Sequence, residues 1–379
     1  MPIAIFFAIA AITALSVFAI ESNARAREQA QVREYAASIA SALERRGSSF
    51  SSYLRAGAAL LSSLEEVNPQ TFRQFVSELR LDISYRGAEG IGWIETVEPD
   101  EIPDYLERTR RDQPFFADIR PSTNIVTQAV APVTYFSPDT ARNRRALGFD
   151  MYSEPVRAAA MEEAKRTVMP TASGRIVLAQ EGSGNAPGFV IFMPVYRGDP
   201  ATRDREESLA GFVYSSFNAG QFLDSAIENA APAQLGVRLY DGERGTNHLL
   251  VARSLEEAAA DRTEQPVTIA NRQLFLVIES ARPQALAPLS MATLLFGLAM
   301  ATLLTLLARL LTQQAFEDQA RLAQFEEQHS IRNSLTRELN HRVKNTLANV
   351  LSIMSLTRRR TNSLDDFAAS LEGRIRALS

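Results

Sequence analysis

Residues 288–308 read PLSMATLLFGLAMATLLTLLA, 21 positions without a charged side chain. As a helix rising about 1.5 Å per residue, the run reaches across about 30 Å, the depth of a bilayer's hydrocarbon. A helix on a globular core keeps a polar face, and this run has none. Residues 3–20, IAIFFAIAAITALSVFAI, repeat the pattern near the other end of the chain. Two transmembrane helices are therefore expected. The first reads as an uncleaved signal anchor rather than a cleaved signal peptide. No basic residue precedes it, and Glu21-Ser22-Asn23-Ala24-Arg25 is a poor cleavage site. The missing basic residues also lead us to expect a true start upstream of Met1.

Outward from these runs the chain divides. The tail, 309–379, holds 11 Lys/Arg against 8 Asp/Glu, whereas the whole chain has 40 against 44 and a formal net charge of −4. Arg309 adjoins the second run, and basic residues beside a span favour the cytoplasm. The expected plan is a transmembrane helix at 1–20, an extracytoplasmic sensor domain at 21–285, a second transmembrane helix at 286–311, a coiled-coil linker at 312–334 and a helical hairpin at 335–379. The expected setting is the inner membrane of a bacterium, with the C-terminus cytoplasmic.

Composition excludes several classes. The slight acidic excess and the absence of a basic run longer than Arg358-Arg359-Arg360 argue against a nucleic-acid partner. With no Cys and only His248, His329 and His341, a disulfide scaffold, a Cys nucleophile and a zinc or multi-His metal site are not expected.

Residues 21–64 lack Pro and are rich in Ala, Arg, Glu, Leu and Ser, which favours a long helix. Asn68-Pro69 marks its break and the cap of a second helix. Short apolar runs then recur at 90–94, 125–135, 174–179, 188–196 and 209–216, with a helix at 154–168 between them. A helix near 221–229 and strands near 235–240, 249–253 and 274–280 follow. This order suits antiparallel sheets with segregated helices, an α+β class. The loop 182–188 is read as a hairpin connection, not a phosphate loop, because a strand follows Pro187. Glu162 and Glu163 are expected on a solvated helix face, and Asp150 in a cap or turn.

The blocks Arg120-Pro121-Ser122-Thr123, Ala131-Pro132-Val133-Thr134-Tyr135, Ala146-Leu147-Gly148-Phe149-Asp150-Met151, Pro187-Gly188-Phe189, Pro194-Val195-Tyr196 and Gly211-Phe212-Val213 resemble the CHASE domain, an extracytoplasmic sensor module, over residues 35–280. The resemblance implies tandem PAS-like subdomains behind a long N-terminal helix, and an unknown small-molecule ligand in the membrane-distal lobe. Plant members bind cytokinins and carry an acidic residue just before the Ala131 block. Here Ala129 and Val130 stand there, which argues against adenine-type recognition. By strand period 2, Thr134 and Phe136 share one face, and Val133 and Tyr135 the other. The candidate ligand-binding residues are Thr134, Phe136, Phe149, Met151, Arg175, Leu178 and Phe192, with Arg175 able to hold a carboxylate. Ordinary core packing is the competing reading for each.

From Arg309 to Arg360 the chain lacks Pro and Gly. Leu311, Ala315, Leu322 and Phe325 trace a loose coiled-coil seam, and Leu335, Leu339, Val343, Leu347, Val350 and Met354 sharpen it. At about 100° per residue, His341 lies about 180° from that stripe. It is expected to face solvent from the back of a dimerising helix.

Glu338-Leu339-Asn340-His341-Arg342-Val343-Lys344-Asn345-Thr346-Leu347 resembles the phosphoacceptor box of the HWE group of sensor histidine kinases. Residues 371–378 resemble the start of that family's second hairpin helix, with Asp365 and Asp366 near the turn. The resemblance implies a homodimeric two-component kinase in which His341 is phosphorylated and passes the group to an Asp of a response regulator. It places at Asn345 a residue that orients hydrolytic water. Arg342 occupies the position where many histidine kinases carry an acid, so the base is open, with Glu338 as the candidate. ATP and Mg²⁺ are expected for the full-length kinase, at a site outside this chain, which is therefore expected to be part of a longer protein. The alternative is a non-catalytic membrane receptor or scaffold whose hairpin only dimerises or docks a partner.

Overall fold

Val32, Ala36, Ile39, Leu43, Phe50, Leu54, Ala58 and Leu61 return every three, four or seven residues, the spacing of one helix face. In the computed structural model they are buried along α1 (Pro2–Ser62). The structure describes residues 2–79, 87–121, 129–181, 185–198, 208–228, 235–254, 259–281, 285–360 and 362–377. The chain forms two compact units, Glu21–Leu286 and Met1–Ile20 with Ala287–Ser379.

Within Glu21–Leu286, α1 ends before Asn68, whose side chain accepts a hydrogen bond from the Thr71 N–H at 2.8 Å and caps α2 (Pro69–Glu78). Then come β1 (Ala88–Glu95), α3 (Ile102–Asp112), β2 (Val133–Ser137), α4 (Pro155–Thr167), the two-residue strands β3 (Thr171–Ala172) and β4 (Ile176–Val177), β5 (Pro187–Tyr196) and β6 (Leu209–Asn218). They build an antiparallel sheet in the order β2-β1-β6-β5-β3, with β4 also paired to β5. After α5 (Ala219–Ile227), the strands β7 (Leu235–Asp241), β8 (Leu249–Arg253), β9 (Ala259–Ile269) and β10 (Arg272–Ala281) form a second antiparallel sheet ordered β8-β7-β10-β9. Helices and antiparallel sheets are segregated, as the element order implied.

Strand alternation gives the first sheet two buried faces. Ile91, Trp93, Tyr135, Ile191, Val195, Val213 and Phe217 join the buried face of α1 and the core of the second sheet. Phe136, Val190, Phe192, Phe212 and Tyr214 turn the other way, toward α3, α4 and the connections between them. Val133 departs from the alternation: it packs with Phe136, not with Tyr135. The β1–β2 register shifts between Trp93 and Ile94, and this bulge resets the face.

Among the described elements, α3, β9 and the two-residue β3 were not anticipated. α3 is short and densely charged. β9 is polar and holds Pro266, which it tolerates as an edge strand whose pairing falls on β10 alone. Part of the expected 125–135 strand, Ser122 and Thr123 of the first quoted block, and residues 182–184 lie outside the described residues.

In the other unit, α6 (Pro288–Arg360) is one uninterrupted helix of 73 residues, and α7 (Leu364–Arg376) folds back against it. Ser363 caps α7, with Asp365 and Asp366 in its first turn, where acids favour the helix dipole. The second hairpin helix thus begins at Leu364, seven residues before the expected 371, because the cap and the acids mark its first turn. The first part of α1 and the start of α6 are both long and apolar enough to cross a membrane. A Cβ on Gly297 would collide with the Thr13 hydroxyl, so the two helices come close at that point. The hydroxyls of Thr13, Thr293, Thr302 and Thr305 bond to carbonyls of their own helix, which leaves these apolar runs without an unsatisfied threonine.

Candidate functional site

Two groups of side chains were singled out by sequence, and the structure treats them differently. On α6, Leu335, Leu339, Val343 and Leu347 form an exposed apolar stripe, each more than half accessible in the single chain. Val350 and Ile353 lose exposure where α7 folds back, and Thr357 is buried. His341 stands exposed, two residues from Leu339 and Val343 along the helix and so on another face. One turn on, the Asn345 side-chain amide lies 3.2 Å from His341 Nδ1. Glu338, one turn back, accepts a hydrogen bond from Arg342 at 2.7 Å. The candidate base thus pairs with the neighbouring guanidinium, and among the described residues Asn345 lies within hydrogen-bond distance of the imidazole.

In the outer unit, Phe136, Met151, Leu178 and Phe192 meet in one buried cluster beneath the first sheet, with Phe149 half-buried beside them and Thr134 buried against Tyr105 of the same cluster. The Thr134 hydroxyl shares a 3.0 Å hydrogen bond with that of Tyr105. Arg175 is not brought to this group. Its backbone N–H donates to Asp241 at 2.8 Å and its Nε to the Leu249 carbonyl at 3.0 Å, both on the second sheet. Arg272 completes the clasp on Asp241.

The cation inside the cluster is Arg157, 4% exposed on α4. It donates to the Val177 carbonyl at 2.6 Å and lies over the Phe149 ring at 4.8 Å. Burial holds its guanidinium below the usual arginine range, against the pull of Glu154. Its Nε and the fully buried hydroxyl of Tyr214 have no hydrogen-bond partner among the described residues. The Tyr214 ring stacks on Phe192 and meets Phe136 edge-on. Asp150 accepts from the Ala131 N–H at 2.9 Å and the Tyr152 N–H at 3.1 Å, the turn role expected of it. Burial nonetheless pushes its carboxyl above the ordinary range, the two N–H donors opposing. Tyr214 was legible as an inward position by period 2 from Phe212, whereas nothing in the spacing separates Arg157 from an ordinary helical arginine.

Comparison with known proteins places both groups. Residues 65–251 match the CHASE domain, and residues 338–379 match the HWE histidine kinase. The chain carries a CHASE domain followed by an HWE histidine kinase segment. The Arg157 cluster lies in the CHASE domain, and the HWE segment opens at Glu338, three residues before His341. No curated protein matches the sequence. Among solved structures, an extracellular ligand binding receptor from Desulfohalobium retbaense is 11% identical with a TM-score of 0.39, covering 65% of this chain. The chain spans 39% of that receptor. The ligand binding domain of the Pseudomonas aeruginosa amino acid chemoreceptor PctB, in complex with L-Gln, is 10% identical with a TM-score of 0.41, covering 70% of this chain and 98% of its own.

Proposed function

We propose that the protein is a transmembrane two-component sensor kinase: the CHASE domain senses a small molecule outside a bacterial inner membrane, and His341 is phosphorylated inside. One observation carries the reading. A CHASE domain and an HWE segment share one chain, and a single helix runs from an apolar stretch to an exposed histidine. A neutral imidazole in solvent is a competent phosphoryl acceptor. ATP with Mg²⁺ supplies the group, and an Asp on a response regulator receives it. The unpaired seam around Leu339 and Val343 suits a homodimer, since an apolar stripe of this spacing is covered by a second helix.

On this reading the two sheets of Glu21–Leu286 are PAS-like lobes, and the ligand enters the lobe of the first sheet. What supports it is the pair of orphaned polar atoms, on Arg157 and Tyr214, among Phe136, Phe149 and Phe192. Arg157 there takes the part first given to Arg175. Signal passes as a small displacement of α6 between two packings.

The test is acid-labile phosphate on the full-length kinase incubated with labelled ATP. His341→Gln is expected to abolish it. Labelling of that variant at the wild-type level removes His341 from the acceptor role.

A further inference from the structure

A neutral imidazole carries one N–H and one lone pair, and the partner of one nitrogen determines the state of the other. At His341 the partner is Asn345: its amide nitrogen, Nδ2, lies 3.2 Å from Nδ1. An amide nitrogen only donates, so where that nitrogen faces the ring, Nδ1 is the acceptor and the ring proton belongs on Nε2. Nε2 is the nitrogen directed away from the contact, and in this tautomer it has no lone pair to offer. Glu338 does not intervene, being held by Arg342 at 2.7 Å. An asparagine amide has a second face. Turned by half a rotation about its last bond, it offers Oδ1, which accepts from Nδ1–H and leaves the lone pair on Nε2. Both residues are exposed, so nothing buried resists the turn.

We propose that Asn345 is a positioning residue that selects the tautomer of His341: its amide nitrogen at Nδ1 holds a resting ring, and its amide oxygen at Nδ1 prepares Nε2 to attack. The proposal rests on His341 as phosphoryl acceptor. In the reactive arrangement the Nε2 lone pair forms the N–P bond, and the bond from phosphorus to the leaving group of a phosphoanhydride or phosphoramidate breaks with its electron pair. The ring is then cationic, with Nδ1–H donating to Asn345 Oδ1 until water removes that proton. The amide takes no proton itself, so Asn345 is not the base, and none is needed on the protein.

The experiment uses the full chain in lipid bilayers, labelled with ¹⁵N-histidine, in alkaline buffer that keeps imidazoles neutral. Nitrogen chemical shifts report which ring atom carries the proton, and a His341→Gln sample identifies the His341 signals among the three histidines. Asn345→Asp offers only acceptor oxygens. It is expected to move the proton to Nδ1, raising the Nδ1–H share by about threefold, the size of a modest net hydrogen bond. Asn345→Leu removes both faces and is expected to shift the ratio the same way by less. Phosphoramidate, a small phosphoryl donor, is expected to label Nε2 about threefold faster in Asn345→Asp than in the parent, read by ³¹P resonance. A tautomer ratio unchanged in Asn345→Leu overturns the proposal, since removing an asparagine that does not govern the ring leaves the ratio alone. If the ratio moves but the ATP-driven kinase never labels His341, the acceptor reading fails while the Asn345 coupling stands.

Discussion

At the scale of single residues, Asp150 shows how the outer domain balances a buried charge. Its carboxylate holds the Ala131 N–H and the Tyr152 N–H, and burial raises its protonation range. A carboxyl raised in the folded state binds its proton more tightly there than in the unfolded chain. Its contribution is therefore fully present below the ordinary carboxylate value and is lost as pH rises through the higher folded value. Asp150→Asn keeps an acceptor for both N–H groups and removes the titration. The expected outcome is a melting temperature whose difference from the parent grows in the variant's favour as pH rises from the ordinary carboxylate range toward neutrality, read by thermal denaturation across pH. Asp150→Ala leaves the Ala131 N–H buried without a partner, at a cost of about 1–3 kcal/mol. The turn role was legible from a short acid before a helix. The burial was not, because it comes from segments around Arg120 and Ala131 that arrive from elsewhere in the chain.

At the scale of elements, the capping residues carried most of the information. Asn68 before Pro69, with its side chain on the Thr71 N–H, starts α2 where the sequence placed it. Asn68→Ala is expected to cost about 1 kcal/mol of outer-domain stability, measured by urea denaturation. Other elements hid their signals. The β9–β10 hairpin turns through Ala270 and Asn271, both at positive φ, without the Asn-Gly pair that announces such a turn. The face exchange at Val133 follows from a bulge in the β1–β2 pairing, a property of two strands 38 positions apart that no single-strand period contains. The stripe from Leu335 to Met354 was legible because a long unbroken helix keeps its period. The partner of His341 was not: spacing put Glu338 and Asn345 equally within one turn, and the structure sets Asn345 against the ring and Glu338 against Arg342.

At the scale of the molecule, two uncharged helical runs bracket the CHASE match, and their side chains, such as Phe7, Phe18, Leu295 and Phe296, are largely accessible in the single chain. Apolar surface on that scale calls for lipid or another helix. Below the second run, α6 keeps its hydrogen-bond ladder to Arg360, with neither Pro nor Gly after Gly297 to interrupt it. On the proposed reading, that continuity makes angular phase the quantity to be transmitted. Each residue inserted between 312 and 334 rotates everything beyond it by about 100°, whereas seven together return it to within about 20° of its starting azimuth. A one-residue insertion is expected to uncouple ligand from His341 phosphorylation, leaving the kinase fixed in one output, and a seven-residue insertion to restore the response, read by labelled-ATP incorporation with and without stimulus. The outer domain would then address its histidine as a key addresses a tumbler, by turning it through a set angle on a rigid shaft.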